Sequence, residues 1–247
     1  MHQIKVDRVC SVEEAIILRD LGADIIGISL DSQSVFSDHR TVSFKKALSI
    51  SRKLTRVKTC LILEKGFTPT ERFILKAAQA KFSYIQIYIN LFPEYWPAQE
   101  IRDSGLDIIY EGLTANYDDD PSWVVDSFRS DRDFTGVTCQ IDLMDGIGDG
   151  WNFFTQETPK YPDEELQIQD VNDICKKTDS FITIDLTPEN IHSVLNSFPE
   201  ALGAYMTLGA NPSHNCVHYF SFDQVVSVLR QLKEGNPKKD TKESRLH

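Results

Sequence analysis

Positive charge is in short supply. Lys and Arg total 26 against 37 Asp and Glu, a net charge of −11. A protein that tracks the phosphates of a nucleic acid needs a basic face, so a nucleic-acid partner is not expected. The same sign gives poor attraction to anionic lipid. No apolar run approaches the roughly 18 residues that span a bilayer, and the opening stretch MHQIKVDRVCSVEEA lacks a signal-peptide apolar region. Cysteines are few: Cys10, Cys60, Cys139, Cys175 and Cys216. They are odd in number with no C-x-x-C pair, which speaks against a disulfide framework or zinc knuckle and for a reducing, cytoplasmic compartment. The histidines His39, His192, His214 and His218 are scattered, and no His/Asp/Glu spacing suggests a metal site. No G-x-S-x-G elbow or P-loop is present. A small-molecule substrate without metal or cofactor, and a monomer or homodimer, is the expectation.

What is present is ample core. The chain has 247 residues, 41% hydrophobic and 26% charged, enough for one large buried core. One theme recurs: a short β-branched run, a polar turn, a helical pattern, then another apolar run. Gln3 to Val6 reads as the first strand. Ser11 and Glu14 have the spacing of a capping box, and Gly22 is placed to stop the helix that follows. Further strands are read at Ala23–Leu30, Val57–Leu63, Tyr84–Ile89, Leu106–Glu111, Val137–Leu143, Phe181–Asp185 and Gly203–Thr207. Helices are read at Val42–Leu54, from Thr68-Pro69 onward, Pro97–Ser104, from Asp120-Pro121 onward, Glu164–Lys177, from Thr187-Pro188 onward and Phe222–Leu232. Eight alternations in this length fit a (β/α)8 TIM barrel in a single domain, residues 1–232. A doubly wound open sheet would need a glycine-rich turn after an early strand, and VDRVCS offers none. Residues 233–247 are polar, without apolar periodicity, and read as a flexible tail.

Active sites of (β/α)8 barrels sit at the C-terminal ends of the strands. The polar residues there are Asp7, Asp31, Ser32, Glu64, Lys65, Asn90, Glu111, Asp142, Asp145, Asp185, Thr207, Gly209 and Asn211. Carboxylates held close together separate their affinities for protons, which lets an acid and a base coexist near neutral pH. An Asp after a strand is often only a helix cap. Asp7 is less easily read that way, because Ser11 already holds the first cap. Nor is Asp142, because the next helix is far along the chain. Thr187 is the evident cap beside Asp185, which leaves the role of Asp185 open. Three glycines in GIGDG, at 146–150, allow a backbone to approach a ligand or to move as a lid.

These segments together resemble the phosphoribosylanthranilate isomerase family, (β/α)8 enzymes of tryptophan biosynthesis. Lys5-Val6-Asp7-Arg8-Val9-Cys10 stands where the family has its KVCGIT turn. Ser37 to Val42 resembles its S-x-R-x-V segment, and Tyr84 to Tyr88 its VQLHG strand. Ile141-Asp142 with Gly146 to Phe153 is similar to its LD…GGTG…FDW block. Asp185 to Ile191 is similar to GGLxPENV, and Gly203 to Gly209 to VDVSSG. The resemblance implies an Amadori rearrangement of an aminoaldose to an aminoketose by general acid–base catalysis. It implies Asp142 as the acid, Asp7 as the base in place of the family's cysteine, and Arg40 as the carboxylate anchor. Substrate contacts would come from Arg8, Gln86, Gly146, Gly148, Asp185, Thr207, Gly209 and Asn211. After the seventh strand, the family's phosphate-binding glycines are replaced by Ile184 and Asp185. Two other readings stand beside this one: a lyase, epimerase or cyclase using the same Asp cluster, and a non-catalytic relative.

Overall fold

The computed structural model describes residues 2–31, 40–63, 67, 69–88, 98–116, 119, 138–144, 149–155, 165–209 and 219–235. The strands are β1 (Gln3–Asp7), β2 (Ile25–Leu30), β3 (Lys58–Leu63), β4 (Tyr84–Tyr88), β5 (Asp107–Ala115), β6 (Thr138–Leu143), β7 (Asp179–Thr183), β8 (Gly203–Leu208) and β9 (Tyr219–Phe220). The helices among these residues are α1 (Val12–Leu21), α2 (Phe44–Ser51), α3 (Glu71–Gln79), α4 (Ala98–Asp103), α5 (Gly150–Thr155), α6 (Ile168–Lys177), α7 (Ile191–Ser197) and α8 (Phe222–Glu234). Strands pair in parallel and in sequence order from β1 to β8, and β8 returns to β1. The sheet is therefore a closed (β/α)8 barrel, as the alternation of patterns predicts.

Closure depends on one glycine. Gln3 pairs with Gly203 where β8 meets β1, and a Cβ at Gly203 would overlap the Gln3 carbonyl oxygen. That obstacle is backbone and cannot rotate away. Gly203→Ala is expected to lower the urea midpoint by more than a typical surface change, which stays within about 0.5 kcal/mol. A midpoint equal to wild type would show that the seam tolerates the side chain.

Two apolar layers follow from strand alternation. Ile25, Cys60, Ile62, Tyr84, Ile109, Phe181 and Tyr205 fill the barrel interior. Residues of opposite parity, such as Ile26, Ile28, Leu61, Ile85 and Ile182, belong to the outer core shared with the helices.

Local signals hold with small shifts. Ser11 caps α1 through Glu14 N–H, and Gly22 ends it at φ +103°. The capping box is only half made. The Glu14 carboxylate turns to the Cys10 N–H, 3.1 Å, and to Arg40, 3.2 Å. A full charge outcompetes the Ser11 amide for that carboxylate. Helix α3 starts at Glu71 on a Thr70 cap, so Thr68-Pro69 precedes it rather than opening it. Strand β7 ends at Thr183, two residues before the expected end, which places Asp185 beyond the sheet. Strand β5 runs on to Ala115 through an irregularity between Tyr110 and Leu113. Helix α8 continues to Glu234, two residues past its expected stop. The expected helix at Asp120-Pro121 and tail residues 236–247 lie outside the described residues. No described helix is long and apolar enough to cross a membrane.

Candidate active site

The C-terminal half of the barrel interior is polar. Lys5 and Asp7 are two residues apart on β1, so both side chains share the inward face. Each is almost wholly buried, at 0% and 1% exposure. The Lys5 ammonium is hydrogen-bonded to Asp7 and to Gln86 Oε1, 2.5 Å. Gln140 Nε2 donates to the other Asp7 oxygen at 2.8 Å, and Gln86 Nε2 approaches it at 3.4 Å. Gln86 Nε2 also donates to Glu111. Strands β1, β4 and β6 are not neighbours in the sheet, so these contacts cross the lumen and tie the barrel from within. Gly27 on β2 makes room: a Cβ there would overlap the Asp7 carboxylate.

The cluster has a physical rationale. Burying an ion costs several kcal/mol unless an opposite charge and hydrogen bonds replace water. Asp7 receives both, from Lys5 and the two glutamine amides. The primary amides match the requirement, since each can donate to one carboxylate while its oxygen accepts elsewhere.

Asp142 at the end of β6 is half-buried. It accepts the hydroxyl of Tyr205 from β8. Burial pushes the Tyr205 hydroxyl well above its ordinary pKa of 10.0. The charge of Asp142 adds to this, and those of Asp7 and Glu111 also contribute. The phenol thus stays a proton-bearing donor at neutral pH and shares a negative field with all three carboxylates. Beside Asp142 in register lies Thr183 of β7. Its hydroxyl is fully buried and has no hydrogen-bond partner among the described residues.

Around this centre, Arg8 follows β1 at φ +64°, a left-handed conformation that favours glycine. Its guanidinium lies 5.8 Å from the Tyr219 ring centroid. Arg40 Nη1 reaches Glu14 at 3.2 Å and the Arg8 carbonyl at 3.4 Å, and so clasps the turn that carries Arg8. Asp185 accepts the Trp151 N–H at 2.8 Å and so caps α5. Thr207 is half-buried and pairs with both Asp7 and Tyr219 across the strands. Gly209 N–H donates to Phe220 O at 3.1 Å. Gly146, Gly148 and Asn211 lie outside the described residues.

The structure thus gathers Asp7, Gln86 and Asp142 in the interior. It gives Arg40 to Glu14 and the Arg8 carbonyl at the β1–α1 turn and Asp185 to a helix end. Lys5, Gln140, Thr183 and Tyr205 were not singled out from sequence. A signal for all four exists: Lys5, Gln140, Thr183 and Tyr205 each stand two residues before a residue read at a strand end, on the same face of the strand as read from sequence. No described group of His, Cys, Asp and Glu could hold a metal ion.

The buried thiols yield a prediction about alkali. Burial pushes Cys139 and Cys175 from an ordinary 9.0 up to about 12, and it raises Cys60 in the same direction. Each group keeps its proton longer in the folded chain than in the unfolded one. Their contribution to stability is complete below about pH 9 and is lost as pH rises towards 12. The slope is about 1.4 kcal/mol per pH unit for each proton held by the folded chain alone. Urea midpoints measured from pH 8 to 11 are expected to fall above pH 9, and less steeply in Cys139→Ala/Cys175→Ala. An identical slope in that variant would assign the effect elsewhere.

No protein-family model matches the chain, and no curated protein matches it by sequence. Solved structures do match in shape. The N-(5'-phosphoribosyl)anthranilate isomerase of Pyrococcus furiosus is 14% identical with a TM-score of 0.63, over 95% of this chain and 100% of that one. The phosphoribosyl anthranilate isomerase of Thermus thermophilus is 14% identical with a TM-score of 0.60, over 94% and 98%. A truncated 3-deoxy-D-arabino-heptulosonate 7-phosphate synthase of Thermotoga maritima, a different catalyst, reaches 0.55 at 11% identity, over 96% and 87%. At these identities the likeness extends to the fold: the chain is a (β/α)8 barrel shaped like the phosphoribosylanthranilate isomerases.

Proposed function

We propose that this barrel is an acid–base isomerase that converts a small aminoaldose, bearing a carboxylate, to the corresponding aminoketose. One observation carries the reading: Asp7 ends β1 and Asp142 stands one residue before the end of β6, both at the C-terminal end of the lumen, where Tyr205 of β8 donates its hydroxyl to Asp142. The neighbours named as phosphoribosylanthranilate isomerases support the reaction class.

Asp142 in its protonated form gives its proton to the sugar ring oxygen as the nitrogen lone pair opens the ring, and the carboxylate so formed accepts the Tyr205 hydroxyl. Asp7 then takes the proton from C2, and the electron pair of that C–H bond passes into the new C1–C2 double bond of the enolamine. Tautomerisation of this enolamine gives the ketose. Lys5, Gln86 and Gln140 hold the Asp7 carboxylate in place, and Tyr205 holds that of Asp142. Arg8, beside the Tyr219 ring, is the cation offered to the substrate carboxylate, and Arg40 braces the turn that carries it through Glu14 and the Arg8 carbonyl. Thr207 and Gly209 complete the described part of the rim, and Gly146, Gly148 and Asn211 are substrate contacts by resemblance alone.

The test is ketose formation from a panel of N-aryl aminoaldoses, followed by product chromatography, with Asp142→Asn and Asp7→Asn as controls. Conversion that both substitutions abolish is the expected result. Conversion of no aldose would reject the reading and favour elimination, epimerisation or cyclisation on the same carboxylates, or binding without catalysis.

A further inference from the structure

We infer that the Thr183 hydroxyl is a substrate contact, which binds a sugar oxygen at the mouth of the barrel beside Asp142. On the isomerase reading, on which this finer statement rests, that oxygen is the one Asp142 protonates.

Burial without a partner sets Thr183 apart. The residue is 0% exposed, and its hydroxyl has no hydrogen-bond partner among the described residues. Elsewhere in the barrel buried hydroxyls come in pairs, Ser51 with Thr59 at 3.3 Å and Ser180 with Thr178 at 2.7 Å. A hydroxyl taken from water without a replacement bond lowers stability. Valine has the same shape and lacks that penalty, so packing gives no reason for a threonine at this position. A ligand does.

The neighbours define the ligand group. Phe181, two residues earlier on β7, belongs to the cluster that fills the lumen, so Thr183 faces the lumen as well. On one side Thr183 is in register with Asp142 of β6. On the other, Ile182 pairs with Ala204 of β8, and the residue that follows Ala204 is Tyr205. The Tyr205 hydroxyl donates to Asp142, so this bond spans the strand that carries Thr183. A group that enters here meets a carboxylate, which accepts hydrogen bonds, and a hydroxyl, which donates or accepts them. A sugar hydroxyl answers both.

The same geometry serves ring opening. The C1–O bond breaks, its electron pair stays on the ring oxygen, and the proton of Asp142 passes to that oxygen. Thr183 keeps its own proton and donates a hydrogen bond to the oxygen while negative charge develops there. The hydroxyl so formed donates to the Asp142 carboxylate and accepts from Thr183.

Two substitutions in the full chain separate the hydroxyl from the methyl group. Thr183→Val removes the unsatisfied hydroxyl at constant shape. It is expected to raise Tm by about 2–4 °C and to lower kcat on the reactive aminoaldose roughly tenfold to a hundredfold. Thr183→Ser is expected to do the reverse, with a lower Tm through the lost methyl and kcat within about threefold of wild type. Calorimetric titration with D-ribose gives a readout free of turnover. Wild type and Thr183→Ser are expected to bind it roughly fivefold more tightly than Thr183→Val. A lower Tm in Thr183→Val would show that the hydroxyl is already satisfied in the free chain. Equal behaviour of wild type and Thr183→Val towards ribose would show that no sugar oxygen meets it. Either result overturns the inference, as does an unchanged kcat in Thr183→Val. If no aldose reacts, the isomerase reading fails, while the melting and ribose measurements still decide whether Thr183 binds a sugar oxygen.

Discussion

Lys5→Met is expected to lower the free energy of unfolding by about 3–5 kcal/mol, because it leaves Asp7 buried without its cation. For a chain of this size that corresponds to a fall of roughly 6–20 °C in Tm. The expectation rests on where the charge would be left. Asp7 is 1% exposed and packs against Gly27, so little solvent reaches its carboxylate in place of the ammonium. Asp7→Asn keeps the shape and the contacts with Gln86 and Gln140, but leaves Lys5 with a neutral partner. The combination Lys5→Met/Asp7→Asn removes both charges and is expected to be less unstable than the sum of the single changes. A double-mutant cycle by urea denaturation measures this coupling. Additivity within about 0.5 kcal/mol would mean that the two groups do not act as a pair.

Asp142→Asn is expected to lower kcat by a factor of about 10² to 10⁴ with little change in KM, the range for loss of a positioned acid–base group. The substitution is nearly isosteric and the residue is half-buried, so stability is expected to hold. Tyr205→Phe tests the support. It removes the hydroxyl that Asp142 accepts, a charge-assisted bond of a kind worth about 1.5–3 kcal/mol. Because the tyrosine is a positioning residue, the effect is expected in kcat, smaller than that of Asp142→Asn, and not additive with it. Full activity in Asp142→Asn would remove Asp142 from the mechanism. Additive losses would separate Tyr205 from it.

Much of the fold was legible because barrel strands are buried on both faces and read as near-continuous apolar runs. ADIIGISL and VKTCLIL announce themselves this way, and Gly22 marks a helix end by its conformation. The rim positions followed from the fold, since strand ends face the site. Asp7, Asp142 and Glu111 were visible for that reason. Partnership was not visible. Nothing in IKVD says that the lysine turns inward to the aspartate two residues on. Nothing in TCQID or YIQIY says that Gln140 and Gln86 meet the same carboxylate.

Asp185 shows the same division. Its place in the chain suggested a substrate contact, whereas the fold gives it the N–H of Trp151, 34 residues away in sequence. Arg40 was placed as a carboxylate anchor by resemblance, and the fold gives its guanidinium the Glu14 carboxylate of α1.

The sequence by itself determined the alternation of strand and helix, the end of the barrel at which polar residues gather, and the excess of acidic groups. These depend on local periodicity and composition. Tertiary structure alone decided which charges are paired, which amides are already bonded and which hydroxyl is left over. Lys5, Gln86, Gln140 and Tyr205 meet their partners across the lumen, at contacts set by the closure of the sheet at Gly203 rather than by spacing along the chain.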